Sequence, residues 1–246
     1  VHSDFFFEVA AGRVPGHSSI NKTSHDTSIT TTIGTIGHET GTLHVYSTSE
    51  DIDYISSDNA GDTHDITIDG LLIDGTQVYQ TATLNGLAPV TLDTPLYRVN
   101  CIYNDISTTL TATLGTIYLW VSGGGDTAGV PDVLADVRSS IRKTGTISLE
   151  RCVNSVYTVP KGKTGYIVFG KTTVSDAKAM ELTFWAGIGQ IAMSQVHHVD
   201  VKDNNYDYFF KTPARMPAGT DLEVRATVTS GTAQVAAHYD IVLVDD

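Results

Sequence analysis

At 246 residues, 41% of them apolar, the chain can bury the core of one large β domain or two smaller ones without disulfide staples. No stretch reaches the unbroken apolar run of a membrane helix, so the expectation is a soluble protein with no membrane partner. The net charge of −13 is uneven: residues 1–135 hold 16 acids against 3 bases and residues 136–246 hold 12 of each, which argues against nucleic acid as a partner, since phosphate binding rests on clustered Lys and Arg.

The chain opens with an aromatic triplet, Phe5, Phe6 and Phe7, followed by Gly12, Pro15, Gly16 and a run rich in Ser and Thr from Thr23 to Thr32. Without a basic residue ahead of the triplet, and with Asp4 before it, this does not fit a signal peptide, and a start at Val1 suggests processing. Residues 1–37 read as an extended N-terminal arm. Three adjacent phenylalanines must pack on the chain's own body or on another subunit, and Phe5, Phe6, Phe7, Val14, Pro15 and Ile20 are the expected interface residues of the arm.

From Leu43 onward, short β-branched and aromatic segments alternate with polar residues and are separated by turn residues. His64 to Asp69, Gln77 to Leu84, Leu96 to Tyr103 and Thr116 to Ser122 read as strands. Asp74-Gly75, Asn85-Gly86 and Gly123 to Gly125 read as turns of hairpin type. One stretch competes for helix, because Val130, Val133, Leu134, Val137 and Ile141 recur at helical spacing behind Pro131. After Thr144 to Leu149 and Val153 to Val159, a second block of strands follows: Tyr166 to Val174, Met180 to Ala186, Ile191 to Val201, Tyr206 to Thr212, Leu222 to Val228 and Gln234 to Val244. Val159-Pro160-Lys161-Gly162 and Met216-Pro217-Ala218-Gly219 suggest equivalent corners of one sandwich. The expected fold is all-β, an antiparallel sandwich or jelly roll. Its parts would be the arm, an acidic β domain over 38–152 and a C-terminal β-sandwich domain over 153–246.

Cys101 and Cys152 each sit in a strand-like segment and read as two buried thiols rather than a disulfide. Candidate ligands are sparse. His198 and Asp200 would share a strand face with His197 turned away, but a zinc site needs further ligands, such as His38, His44 or His238, that the spacing does not supply. Asp51, Asp53, Asp58, Asn59 and Asp62 could offer oxygens to calcium, without the order of an EF-hand; a solvated acidic loop is the expectation. There is no nucleophile elbow, phosphate loop or zincin motif, so no catalytic residue, metal ligand or cofactor is assigned. Tyr206, Tyr208 and Phe210 would project to one side of a strand, as core, interface or a sugar-binding platform. Lys161, Lys163, Lys171 and Lys178 could face an acidic neighbour.

The segment SDFFFEVAAGRVPGHSSINK at Ser3 to Lys22 resembles the opening of a group of virion structural proteins of tailed phages of marine and freshwater bacteria. DITIDGLLIDGTQVYQTATLNG from Asp65, Tyr97-Arg98-Val99, YTVPKGKTGY from Tyr157 and DLEVRA from Asp221 follow in order. Thr23 to Thr35 departs from the pattern. The resemblance implies a non-catalytic subunit on the particle surface, such as a capsid decoration, head-fibre or tail-associated protein. Its partners would be itself, as a homo-oligomer of trimeric form, and the major capsid protein or other virion proteins. The alternative is a receptor- or glycan-binding adhesin.

Overall fold

The computed structural model describes residues 5–104, 111–144, 147–148, 150–175, 179–188, 193–201 and 205–246; Lys178 and Ile191 lie outside them. The fold is nearly all β, in antiparallel sheets. A short helix, α1 (Phe5–Ala10), precedes β1 (His17–Ile29) and β2 (Gly34–Thr35). The first block then runs β3 (Ile52–Ser57), β4 (Asp65–Leu71), β5 (Gln77–Thr83), β6 (Val90–Leu96), β7 (Arg98–Tyr103), β8 (Ile117–Val121), β9 (Asp126–Thr127), β10 (Val130–Pro131), β11 (Val137–Ile141), β12 (Lys143–Thr144) and β13 (Ile147–Ser148). The second runs β14 (Tyr157–Thr158), β15 (Lys163–Val174), β16 (Met180–Ile188), β17 (Ser194–Val201), β18 (Asn205–Met216), β19 (Thr220–Val228) and β20 (Ala233–Asp245).

In the first block the sheet β11-β8-β3-β6 and the sheet β5-β4-β7 bury one core, in which Ile52, Ile55, Ile68, Leu96, Ile102 and Leu119 are closed off from solvent. Asn85-Gly86 is not a hairpin turn. β5 pairs with β4 while β6 pairs with β3, so this corner carries the chain from one sheet to the other. The helical spacing near Pro131 also gives way to strand, with only a 3-10 turn at Leu134–Asp136. Val137 and Ile141 pair with Trp120 and Ile117 of β8, and β-branched residues lose little by adopting extended backbone.

The second block is a double-sheet sandwich with one sheet ordered β1-β20-β15-β18 and the other β14-β19-β16-β17. Counting its eight strands in chain order, the sheets read 1-8-3-6 and 2-7-4-5. That is the connectivity of a jelly roll, two interleaved Greek keys. The stretch expected as an arm is therefore corrected: His17–Ile29 is the first strand of this sandwich, paired along its length with β20. Alternation puts Ile20, Lys22, Ser24 and Asp26 on its inner side, and a side chain on one face packs whichever segment supplies the neighbour, however distant in sequence.

The second strand of the jelly roll is in two pieces. Thr35 of β2 pairs with Arg225, Tyr157 of β14 pairs with Leu222, and both flank β19 in the same direction. Between them the backbone N–H of Ile36 donates to Val224, and that of Ser155 donates to the Ile36 carbonyl at 2.9 Å. The first block thus leaves the jelly roll after Ile36 and returns at Ser155, an insertion into one strand whose ends touch, as tolerated insertions require. The two Pro-containing corners stand side by side, with Gly219 donating to the Val159 carbonyl at 2.8 Å. Gly162 and Gly219 adopt φ of 75° and 78°, the left-handed position of a type II turn, where a Cβ is strained.

Candidate interaction surface

The insertion meets the jelly roll across a buried polar seam. Arg98 of β7 donates from Nε and Nη2 to the two carboxylate oxygens of Asp221 at 3.0 and 3.1 Å, both side chains almost fully enclosed. Thr158 Oγ1 donates to the same carboxylate at 2.6 Å, and the guanidinium lies over the rings of Tyr97 and Tyr46. Asn100 exchanges two hydrogen bonds with the backbone of Thr158. Beside them Lys22 reaches in from β1 and donates to the Asn100 carbonyl, Cys152 Sγ and Asn154 Oδ1. Cys101 and Cys152 are joined in a disulfide, their Cα atoms 5.5 Å apart, contrary to the expectation of free thiols. The pairing arises because the returning segment runs alongside β7, with Cys152 N–H donating to Ile102.

Burial sets the ionisation of this seam. It holds the Lys22 amine down at about 7, helped by Arg151 and opposed by Asp69. His38 falls to about 4 through burial and then the fields of Arg138 and Arg142, and His44 lies well below its ordinary value for the same leading reason. Burial raises Asp69. Sequence reasoning named His38 and His44 only as further zinc ligands and gave Lys22, Asp69, Arg98, Asn100 and Asp221 no site role. A signal existed: Lys22 and Arg98 are two of only 3 cations in the first 135 residues, and Arg98 lies in an alternating segment.

The acids of the loop expected to be solvated accept hydrogen bonds from the protein's own backbone, with Asp58 exposed and Asp62 enclosed. Asp62, fully buried, accepts from Ser57 Oγ, Leu114 N–H and Gly115 N–H; Asp58 accepts from Thr116 N–H; Asp53 accepts from Ser122 N–H and Oγ. His198 lies 3.4 Å from Asp200 and 3.5 Å from Glu181 on an exposed strand face, while His197 turns to the other side and stacks on Tyr208 at 4.4 Å. Among the described residues no three His, Cys, Asp or Glu are grouped to hold a metal ion. Tyr206, Tyr208 and Phe210 do share one side of β18. It is the inner side, where Tyr206 and Phe210 pack on the core and Phe210 meets Phe184 and His197.

The exposed aromatic surface lies on the opposite face of that sheet. Helix α1 lies against β1, Phe5 meeting the His17 ring edge-on, and buries Val9 while Phe5, Phe6 and Phe7 stay 50%, 50% and 60% exposed. Val14 is half-buried, Pro15 exposed, and Ile20 packs against the jelly-roll core. Phe209, 73% exposed, lies against Phe169 of β15 with ring centroids 4.7 Å apart. Phe6 and Ala10 of α1, Phe169, Phe209 and Val242 line a cleft of about 340 Å³ whose polar rim includes Asn21 and Asp240. An apolar centre with a polar rim is the anatomy of a protein interface.

No protein family and no curated relative matches the chain. Among solved structures, the mitogen of Yersinia pseudotuberculosis is 14% identical over 34% of this chain and 81% of its own, with a TM-score of 0.23. The structure of infectious bursal disease virus, Gx strain, is 12% identical over 99% of this chain and 77% of its own, with a TM-score of 0.20. The VP2 subviral particle of that virus is 9% identical over 94% and 77%, with a TM-score of 0.17. Likenesses this low carry no argument about this chain.

Proposed function

We propose that this chain is a non-catalytic structural subunit of a virus particle, an outer-shell or capsid decoration protein of a tailed phage that assembles as a homo-oligomer. The observation that carries the reading is the aromatic cleft on the outer sheet of a jelly roll. Jelly rolls build viral shells and lectins, and an apolar patch formed by Phe6, Phe169 and Phe209 suits a fixed protein neighbour. The sequence resemblance running from Ser3 to Ala226 supports the same assignment. The acids of the Asp51 to Asp62 loop serve as structural acceptors, which favours a scaffold over a reaction centre.

The reading is tested by growing particles with Phe6→Ser and Phe209→Ser together. Folded protein that no longer co-purifies with particles supports it. Wild-type incorporation of the double variant, or absence of the wild-type chain from purified particles, contradicts it. The adhesin alternative draws on Tyr206, Tyr208 and Phe210, which are half-buried on the inner side of β18; binding of the purified chain to a glycan array would favour it.

A further inference from the structure

Lys22 is 2% exposed on the inner side of β1, the least exposed cation among the described residues of the jelly roll. Its Nζ lies 3.3 Å from Cys152 Sγ and 3.2 Å from Asn154 Oδ1, and it also donates to the Asn100 carbonyl. The Asn154 carboxamide is held from its other end, Nδ2 donating to the Arg138 carbonyl at 2.9 Å, so its carbonyl end is turned to the amine. Among the described residues no carboxylate forms an ion pair with Lys22. Burial, with Arg151 nearby, draws its amine down to about 7, so a large neutral fraction keeps the lone pair that makes lysine a nucleophile.

We infer that Lys22 and Asn154 join in an intramolecular isopeptide bond. The lone pair of Nζ forms a bond to Cγ of Asn154, the Cγ–Nδ2 bond breaks, and a proton from Nζ passes to Nδ2, which leaves as ammonia. One amide replaces another, with no oxidant, reductant or co-reactant. Two features of the seam favour the step. Packing holds the amine against the carboxamide, converting a slow encounter into an intramolecular one, and the enclosure keeps water from competing. The product ties the first strand of the jelly roll to the segment that closes the insertion, directly beside the Cys101–Cys152 disulfide. This inference stands apart from the particle reading, because it depends only on the chain folding.

The test is the intact mass of the folded full chain after reduction and denaturation, followed by peptide mapping. The expected result is a mass below that of the sequence by one ammonia, and one branched peptide containing both Lys22 and Asn154. Lys22→Arg and Asn154→Ala should each restore the full mass. The inference is overturned if wild-type protein, shown by circular dichroism to be folded and held at mildly alkaline pH, keeps its full sequence mass. It is equally overturned if the ammonia loss maps to a succinimide at Asn154-Ser155 while the Lys22 peptide stays linear.

Discussion

Replacing Arg98 by Met keeps the length of the side chain and removes its charge, leaving the Asp221 carboxylate buried with, among the described residues, only Thr158 still donating to it. Removing one member of a buried pair strands the other, and the expected loss is about 3–5 kcal/mol, read as a fall in the urea midpoint. A loss below about 1 kcal/mol would show that the pair behaves like a surface bridge. The histidines give a pH signature. His38 is held at about 4 against an ordinary 6.5, so the unfolded chain binds more protons than the folded one between those values. The contribution is complete above about 6.5 and is lost as pH falls towards 4. His44 acts in the same direction. Melting temperature should drop between about pH 7 and pH 5, a window above most carboxylate titration, and His38→Gln should shallow that slope; a flat wild-type profile contradicts the assignment.

At the scale of elements, β1 is a structural strand and α1 is not. Deleting residues 1–12 removes the aromatic helix and leaves every ladder intact, so the protein should keep nearly its full melting temperature while losing particle attachment. Deleting residues 1–24 strips β20 of its partners from Val244 to Ala237 and should leave no cooperative melt; a folded product would contradict the jelly-roll assignment. Reducing the Cys101–Cys152 bridge should cost about 2–4 kcal/mol of stability, visible as a lower denaturant midpoint, and an unchanged midpoint would argue against its contribution. The strands themselves were legible from alternation: β4, β5, β7 and β8 fall within a few residues of their expected spans. Their partners were not. Nothing local in Thr23 to Ile29 says that its neighbour is β20, and nothing in Asn85-Gly86 says that the next strand changes sheet. For the same reason Cys101 and Cys152 looked like separate buried thiols, since their meeting is set by the path of the chain between them.

For the whole molecule, the insertion and the jelly roll share a seam of buried hydrogen bonds and charges rather than a flexible linker. Lys22, Arg98, Asn100, Thr158 and Asp221 satisfy one another across it, so neither part can leave without stranding polar groups. Calorimetry should therefore show one transition for the full chain; two well-separated transitions would mean independent units. This seam is the part of the molecule least readable from sequence, because each member looks like an ordinary polar residue until the fold brings the others to it. The aromatic surface was half readable. Phe5, Phe6 and Phe7 announced themselves as a run, whereas Phe209 was hidden among inward-facing neighbours and Phe169 lies in a distant strand. Cryo-electron microscopy of intact particles tests the central claim most directly. The account predicts density for this jelly roll on the particle exterior, with the face bearing Phe6, Phe169 and Phe209 closed against a neighbouring subunit; particles without that density, or with that face bare to solvent, would contradict it.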